Sequence, residues 1–514
     1  MRRSVLSAAA VILALAGCGK KDGKEAAAAP SAAEGAALAA RTEIVRPPLD
    51  PYPSTYEPYP SETMLIAGAT ILTGTGARLD NGAILIEKGK IAAVGPASAV
   101  AAPEGARRIE AAGKWATPGL IDIHSHLGDY PSPATPSNDD GNEMTDPNTA
   151  EAWAEHSVWP QDAGFTRALA GGITTLQILP GSANLFGGRS VVLKNVPSRT
   201  VQGMKFPGAK YGLKMACGEN PKRVYAARGP STRMGNFAGY RAAWIEAAAY
   251  KKKWEDYWRD AEAYDAEQKS DKDSKKGAKS DEGKRGGEKD ESKPPEPPKR
   301  DLELETLAGA LKGDILVDMH CYRADEMAQV LDMAKEFGYK VASFHHAVEA
   351  YKIADILARE GVCAAMWADW WGFKLEAYDA IRENIALVDA QPNSCAVVHS
   401  DDPLGIQRLN QEAAKAMADG NRLGLKIKEE RAIAWLTANP AKAIGVLDRT
   451  GTLEAGKMAD VVIWSGNPFS VYAKAERVYI DGALLYDRTD PARSPRMDFE
   501  IGQPANGFTG GSGQ

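Results

Sequence analysis

The sequence predicts an α/β fold, a TIM-type (β/α)8 barrel with a small composite β-sandwich domain built from both chain ends. Between residues 114 and 446, short apolar runs alternate with amphipathic helical segments. That alternation is the pattern of a parallel barrel. Short strands divided by glycine turns flank this region at residues 61–113 and 447–490. Two half-sheets from opposite ends of the chain are therefore expected to join.

The composition is that of an ordinary globular protein. The chain has 514 residues, of which 44% are hydrophobic and 25% charged, enough apolar material for a large core. The formal net charge is −6 and the pI is about 5.8. Neither value indicates a nucleic acid partner.

The first 18 residues resemble a bacterial lipoprotein signal peptide. Arg2 and Arg3 precede an apolar run that ends just before Cys18, and the run is too short to span a bilayer. The resemblance implies cleavage before Cys18, lipidation of its thiol and a lipid-anchored protein of the bacterial cell envelope, periplasmic or in the outer membrane. An ordinary secretory signal is the alternative. Residues 19–60 are predicted to be a disordered tether that ends in an extended Pro/Tyr-rich arm.

Eight barrel strands are predicted within residues 114–446. They lie at residues 120–124, 174–179, 191–193, 211–217, 315–320, 341–345, 362–366 and 396–399. Helices are expected at 324–337, 349–360 and 377–389, and another at 239–268 leads into a charged insertion at 269–300. The insertion has almost no apolar side chains and is predicted to be disordered. Residues 491–514 form a C-terminal tail.

Four cysteines remain after Cys18. They are Cys217, Cys321, Cys363 and Cys395, and all lie in or beside apolar, strand-like runs. Their spacing is not that of a disulfide framework or of a cysteine metal site. We therefore predict that they are small buried hydrophobic residues.

The first predicted strand ends in His124-Ser125-His126. Residues i and i+2 of a strand point to the same face, so both imidazoles reach one point beyond the strand. Neutral imidazole is a good ligand for zinc and similar divalent metals. This pattern alone is weak evidence, but three later strands also end in potential ligands, at His320, at His345 and His346, and at Asp401. Because barrel sites are built at the carboxyl ends of strands, we expect one metal site there.

These motifs resemble those of the amidohydrolase superfamily, in the branch near imidazolonepropionase-like and metal-dependent dipeptidase-like enzymes. The matching motifs cover residues 62 to 487. They are PGLIDIHSH at 118–126, GGITT at 171–175, His320, HAVEAY at 346–351, HSD at 399–401, ANPA at 438–441 and GTLEAGKMAD at 451–460.

The resemblance implies a ligand set for one or two divalent metal ions, with zinc favoured among metals that suit His and carboxylate ligands. His124 and His126 would bind the more buried metal, and His320 and His346 the second. Asp401 would ligate the first metal and shuttle the proton of the attacking hydroxide. Family members with two metals bridge them through a carboxylated lysine or a glutamate. Lys214 is the preferred candidate for that bridge and Glu219 is the alternative.

Other polar residues have supporting roles in this interpretation. Since neighbouring strand residues face opposite ways, HAVEAY selects His346 and leaves His345 as a packing or supporting residue. His399 lies two residues before Asp401 and is expected to support the ligands. His156 is assigned to the surface or a lid. Arg233 and Arg323 are candidates to bind a substrate carboxylate, with a structural ion pair or helix cap as the alternative for each.

The sequence therefore predicts a metal-dependent amidohydrolase that cleaves a C–N bond in a small-molecule cyclic amide, amide or dipeptide. A metal-activated hydroxide would attack, with Asp401 as proton shuttle. Two alternatives remain: a mononuclear deaminase-type amidohydrolase, and a non-catalytic metal-binding surface lipoprotein. No Ser-His-Asp or phosphate-binding motif competes with the metal site.

Overall fold

The computed structural model describes residues 44–132, 134–275 and 293–493. The predicted signal peptide, the lipidation site Cys18, the first part of the tether and almost all of the C-terminal tail lie outside these residues. So does the middle of the charged insertion, residues 276–292. None of the described helices is long and apolar enough to cross a membrane.

Eight strands form a nearly closed barrel, which confirms the predicted fold class. Their order around the sheet follows their order in the sequence. The strands are β6 (Leu120–Ser125), β7 (Ile173–Ile178), β8 (Phe186–Lys194), β9 (Gly212–Ala216), β10 (Leu316–Cys321), β11 (Val341–His346), β12 (Cys363–Met366) and β13 (Ala396–Val398).

The third barrel strand runs in the opposite direction to the others. β8 pairs antiparallel with both β7 and β9, whereas the remaining neighbours are parallel. The segments that join β8 to β7 and β9 contain no α-helix. A parallel connection needs a crossover of a dozen or more residues, whereas antiparallel strands can be joined by a short turn. The short connection at residues 179–185 therefore forms a hairpin where a crossover helix was expected.

A second sheet combines both ends of the chain, as predicted. It has eight strands, ordered β16-β15-β14-β5-β1-β2-β3 with β4 beside β1. One apolar core includes Ile66 and Ile84 from the first half and Val461 from the second. The strands are β1 (Met64–Leu72), β2 (Arg78–Glu87), β3 (Lys90–Pro96), β4 (Arg107–Glu110), β5 (Trp115–Pro118), β14 (Val461–Trp464), β15 (Ala475–Ile480) and β16 (Ala483–Asp487).

The described residues also form ten α-helices, most of which follow barrel strands. They are α1 (Ala163–Ala170), α2 (Glu219–Val224), α3 (Arg233–Lys275), α4 (Leu302–Lys312), α5 (Ala324–Phe337), α6 (Ala354–Glu360), α7 (Asn384–Asp389), α8 (Leu409–Arg422), α9 (Glu429–Ala432) and α10 (Ala438–Ala443). Helix α5 has the predicted bounds. Helix α7 begins later than predicted, because residues 375–377 form a separate 3-10 turn.

By its internal contacts the chain forms two units. The larger contains residues 47–260 and 296–493 of the described chain, and the smaller contains residues 44–46, 261–275 and 293–295. In the smaller unit Arg46 and Glu262 form an ion pair. Helix α3 continues to Lys275, so residues 269–275 are helical where disorder was predicted.

Residues 47–60 form an extended arm on the barrel, although they were assigned to a disordered tether. Tyr59 Oη donates to the Pro197 carbonyl at 2.7 Å, and Ser54 Oγ donates to the Lys205 carbonyl at 2.6 Å. Both acceptors belong to the connection between β8 and β9. The Pro/Tyr-rich composition indicated an extended chain but did not reveal these hydrogen bonds.

The four cysteines are buried, as predicted, but the prediction that they form no disulfide framework is wrong, because they form two disulfides. Cys217 is bonded to Cys321 with Cα atoms 5.2 Å apart, and Cys363 to Cys395 with Cα atoms 4.5 Å apart. Each bond joins neighbouring barrel strands, β9 to β10 and β12 to β13. Their sequence separations of 104 and 32 residues carry no recognisable spacing, since the pairing depends on which strands become neighbours in the barrel.

Candidate metal centre and active site

The two histidines at the end of β6 face Asp401. His124 Nε2 lies 3.4 Å and His126 Nε2 lies 3.2 Å from Asp401 Oδ1. The His124 side chain is fully buried, whereas those of His126 and Asp401 are partly exposed. One nitrogen of each histidine and one oxygen of Asp401 all lie within 4.8 Å of one another. The predicted H-x-H ligands and the predicted aspartate are thus brought together.

Asp401 is positioned by contacts between the first and last barrel strands. Its backbone N–H donates to the His124 carbonyl at 3.0 Å. The preceding Ser400 N–H donates to Asp122 Oδ1 at 3.2 Å, and Ser400 Oγ donates to Asp122 Oδ2. Asp401 has a φ of +53°, a backbone conformation that aspartate tolerates better than most residues. These bonds hold the Asp401 carboxylate over the end of β6.

Both adjacent histidines of β11 reach the site. His345 Nδ1 lies 2.7 Å from His124 Nδ1, and His346 Nδ1 lies 3.8 Å from Asp401 Oδ2. His346 has a φ of +70°, so the strand ends there and the alternation of side chains is broken. The expectation that only one of them faces the site assumed a strand that continues. His345 still makes only supporting contacts, as expected.

His320 and His399 complete the histidine cluster. The ring centroids of His320 and His346 are 4.6 Å apart. His399 has one nitrogen within 4.8 Å of nitrogens of both His124 and His346. Sequence reasoning placed His399 in a supporting role, yet the structure puts it among the potential ligands. The sequence signal for this role was the position of His399, near the end of the last strand and two residues before Asp401.

The donor atoms of this cluster fit a cation. His126 Nδ1 lies 2.7 Å from the Leu179 carbonyl, so in the neutral ring Nδ1 carries the hydrogen and Nε2 offers a lone pair to Asp401. That lone pair and Asp401 Oδ1 lie 3.2 Å apart, so both atoms could bind a cation placed between them. Further buried ring nitrogens have no hydrogen-bond partner among the described residues: His124 Nε2, His346 Nδ1, and both nitrogens of His320 and His399. Such atoms are costly to bury unless they are ligands.

Burial keeps the clustered imidazoles in the form that binds metals. Desolvation lowers the pKa values of His124, His320, His346 and His399 well below their usual value, and neighbouring charges lower them further. The rings are therefore neutral at pH 7. Burial also raises the pKa of Asp122 to about 7, although the hydrogen bonds from Ser400 and His124 oppose this shift.

Lys214 belongs to the cluster, and Glu219 does not. Lys214 is buried in β9 and its Nζ donates to the Pro180 carbonyl at 3.0 Å. In the parallel register of β9 and β10, Lys214 lies beside Asp318, two residues before His320. Glu219 begins α2, where its backbone N–H donates to Glu376 at 2.9 Å. The two groups of potential metal ligands found among the described residues include neither Glu219 nor His320.

The two predicted carboxylate-binding arginines are engaged in protein ion pairs. Arg233 Nε donates to Glu326 Oε2 at 2.8 Å, and Arg233 Nη2 donates to Glu376 Oε1 at 2.5 Å. Both acids are buried. Arg323 forms a bidentate pair with the nearby Asp325. These contacts match the alternative prediction for each arginine, a structural ion pair, rather than the binding of a substrate carboxylate.

Aromatic side chains form one wall of the site. The Trp367 ring lies 4.3 Å from His346 and 5.2 Å from His399, measured between ring centroids. Trp367 Nε1 donates to the Ser400 carbonyl at 3.2 Å. The Tyr322 ring lies 5.0 Å from His320. Trp367 directly follows β12 and Tyr322 directly follows β10.

The sequence matches the model of the Amidohydrolase family over residues 115–485. The chain belongs to the amidohydrolase family. That region contains all the residues of the cluster and, from the second sheet, β5, β14, β15 and most of β16. The His/Asp cluster at the carboxyl ends of the barrel strands thus lies within the region that matches the family to which the motifs pointed.

Individual relatives of this chain include two proteins named amidohydrolases and one named a deaminase. A solved amidohydrolase from Thermotoga maritima is 34% identical, with a TM-score of 0.65 over 83% of this chain and 100% of that one. Amidohydrolase tasK of Hapsidospora irregularis is 32% identical over 79% of this chain, which spans only 40% of that protein. A 5-methylthioadenosine/S-adenosylhomocysteine deaminase of Symbiobacterium thermophilum is 30% identical over 22% of this chain and 28% of its own.

Proposed function

We propose that this amidohydrolase hydrolyses a C–N bond of a small cyclic amide, amide or dipeptide. The observation that carries the proposal is the meeting of buried, unpartnered imidazole nitrogens with Asp401 at the carboxyl end of the barrel. His124, His126, His320, His346 and Asp401 would hold a divalent metal, with zinc favoured by the His and carboxylate donors. His399 is an additional candidate ligand.

Different residues would contribute to separate steps of the hydrolysis. A bound divalent metal would lower the pKa of water toward neutrality and polarise the scissile carbonyl. Asp401 lies beside the histidines and is partly exposed, so its carboxylate can accept a proton from water and pass it to the departing nitrogen. Trp367 and Tyr322 limit the access of bulk water on one side.

We propose that Lys214 carries a carboxylate that bridges two metals. Burial lowers the pKa of Lys214 to about 8, although the charges of Asp401 and Asp318 oppose the shift. A substantial fraction of this amine is therefore neutral near pH 8, and only the neutral amine adds carbon dioxide. Glu219 is the less favoured bridge, because it lies outside the ligand groups.

A deaminase with one metal is the second candidate. His124, His126 and Asp401 form a group of their own, and one of the partial relatives is a deaminase. The two candidates differ in the product. A deaminase releases ammonia from an amino-substituted ring, whereas an amide hydrolase releases a new carboxylate.

Elemental analysis of the purified protein, followed by an amide and deaminase substrate screen, tests the proposal. Two equivalents of metal and activity on amides are expected, and Asp401→Asn should lower kcat by at least about a thousandfold if the carboxylate is the proton shuttle. One equivalent and ammonia release would favour the deaminase. A folded protein that takes up no metal would exclude both and leave a non-catalytic surface protein.

We also propose that a lipid on Cys18 anchors the protein in the cell envelope. The signal-like sequence before Cys18 supports this, and disulfides are typical of oxidising compartments. Metabolic labelling with a fatty acid should mark the wild type and not Cys18→Ser. A Cys18→Ser variant that is labelled equally would refute the anchor.

A further inference from the structure

Lys374 places an ammonium group beside the candidate active site. It lies in the segment after β12, and its Nζ donates to Asn220 Oδ1 at 2.8 Å. The same Nζ lies 4.9 Å from the centroid of the Tyr322 ring and 5.8 Å from that of Phe373. The side chain is half-buried, so these contacts fix the position of the charge.

One aromatic ring separates Lys374 from the predicted metal ligands. The Tyr322 ring lies 5.0 Å from His320 and 5.5 Å from His346, measured between centroids. Lys374 Nζ lies 4.9 Å from the centroid of the same ring. A small substrate can therefore reach from the histidine cluster to the Lys374 ammonium.

No described carboxylate neutralises Lys374. Two other lysines near the same segment have acidic partners, because Lys352 pairs with Asp379 and Lys415 pairs with Asp369. Glu376 is engaged with Arg233 and with the backbone N–H of Glu219. Burial lowers the pKa of Lys374, and the charges of Glu219, Glu376 and Asp401 oppose this shift. None of these carboxylates forms an ion pair with Lys374, so its Nζ has no close counter-ion among the described residues.

We propose that Lys374 binds an anionic group of the substrate, a carboxylate in the simplest case, while the scissile bond lies at the histidine cluster. This proposal rests on the proposed amide hydrolysis. A partly desolvated ammonium next to the site gains a charge-assisted hydrogen bond from such a group. The part of the substrate between its two ends packs on Tyr322 and Trp367. The substrates are therefore amides with a free carboxylate, and their neutral analogues bind less well.

Calorimetric titration of the metal-loaded enzyme tests this without any turnover. The probes are straight-chain dicarboxylates of five to eight carbons and the monocarboxylates of the same lengths. One carboxylate of each probe can bind at the metal, so only the second carboxylate reports on Lys374. The wild type should bind the best dicarboxylate at least about tenfold more tightly than its monocarboxylate partner.

Three variants assign the preference to Lys374. Lys374→Met should abolish it, and Lys374→Arg should retain it because the charge remains. Lys340→Met removes an exposed lysine at the amino end of β11 and should retain it too. A wild type without the preference, or a preference that survives in Lys374→Met, would overturn the proposal. If the preference depends on Lys374 but no amide is cleaved, the proposed function fails while the anion site stands.

Discussion

At the scale of single residues, the candidate ligands are held by atoms that would not themselves touch a metal. The Leu179 carbonyl orients His126. His345 contacts His124 Nδ1 at 2.7 Å, and its own Nε2 lies 2.7 Å from Ser343 Oγ. Ser343 Oγ in turn donates to Asp318 Oδ1 at 2.8 Å. A chain of buried polar groups therefore runs from the barrel interior to His124 and fixes its ring.

We expect His345→Phe to weaken metal binding about 10- to 100-fold, because partners of this kind orient a ligand and set its tautomer. His345→Asn should retain most of the affinity, since its amide can still contact His124. Competition with a chromophoric chelator measures the affinity of each variant.

His156→Phe is the matched control for this comparison. His156 is about half exposed and stacks on Trp153, and none of its described ring or ion-pair contacts is with the clustered histidines. Its replacement should leave metal affinity unchanged. If His345→Phe binds metal as tightly as His156→Phe does, His345 does not position His124.

The sequence predicted most of this site, for physical reasons that also explain what it missed. His124, His126, His320, His346 and Asp401 follow apolar runs, and parallel strands bring their carboxyl ends to one edge of the barrel. The role of His399 and the double contribution of His345 and His346 depend on where each strand stops and on positive φ angles. Likewise, the acidic partners of Arg233 come from distant segments of the chain. The sequence alone could therefore not predict these ion pairs.

At the scale of elements, each disulfide clamps a different end of the barrel. Cys321 directly follows His320, so the Cys217–Cys321 bond lies at the carboxyl ends of β9 and β10, beside the candidate site. Cys363 begins β12 and Cys395 immediately precedes β13, so the second bond lies at the amino ends. The sequence could not predict that β8 runs antiparallel to its neighbours, because an apolar run has the same pattern in either direction.

Replacing either disulfide by a pair of alanines should lower the free energy of unfolding by about 2–5 kcal/mol. Only the Cys217→Ala/Cys321→Ala variant should also lose metal affinity, because it frees the strands that carry Lys214 and His320. Urea denaturation and metal competition measure the two effects. Equal losses of metal affinity in both double variants would contradict the assignment.

At the scale of the whole molecule, a buried lysine joins the barrel to the composite sheet. Lys194 at the end of β8 lies 2.7 Å from Asp481 Oδ2 and 3.4 Å from Asp460 Oδ1, and all three side chains are buried. The N-terminal arm contributes to the same cluster, since Tyr56 Oη donates to Asp481 at 2.6 Å. The N-terminal arm, the barrel and the composite sheet, which lie far apart in the sequence, therefore meet at the Lys194 ammonium group.

We expect Lys194→Met to lower the free energy of unfolding by about 3–5 kcal/mol, because it leaves two buried carboxylates without their cation. Arg241→Gln removes an exposed ion pair with Glu336 and should leave the free energy of unfolding almost unchanged. Thermal and urea unfolding compare the two variants. Similar stabilities would show that the buried cluster adds nothing to the joining of barrel and sheet.

The reversed direction of β8 also has a consequence for how such a protein can diversify. In an all-parallel barrel, eight connections reach the rim at which substrates bind. Here β7 turns directly into β8 at that rim, and the connection from β8 to β9 lies at the opposite end. In a hairpin the loop length helps to set the register of the strands, so this connection is expected to accept few insertions. New specificity, in nature or in directed evolution, is therefore expected to arise in the longer segments opposite it, such as the one after β12 that carries Lys374.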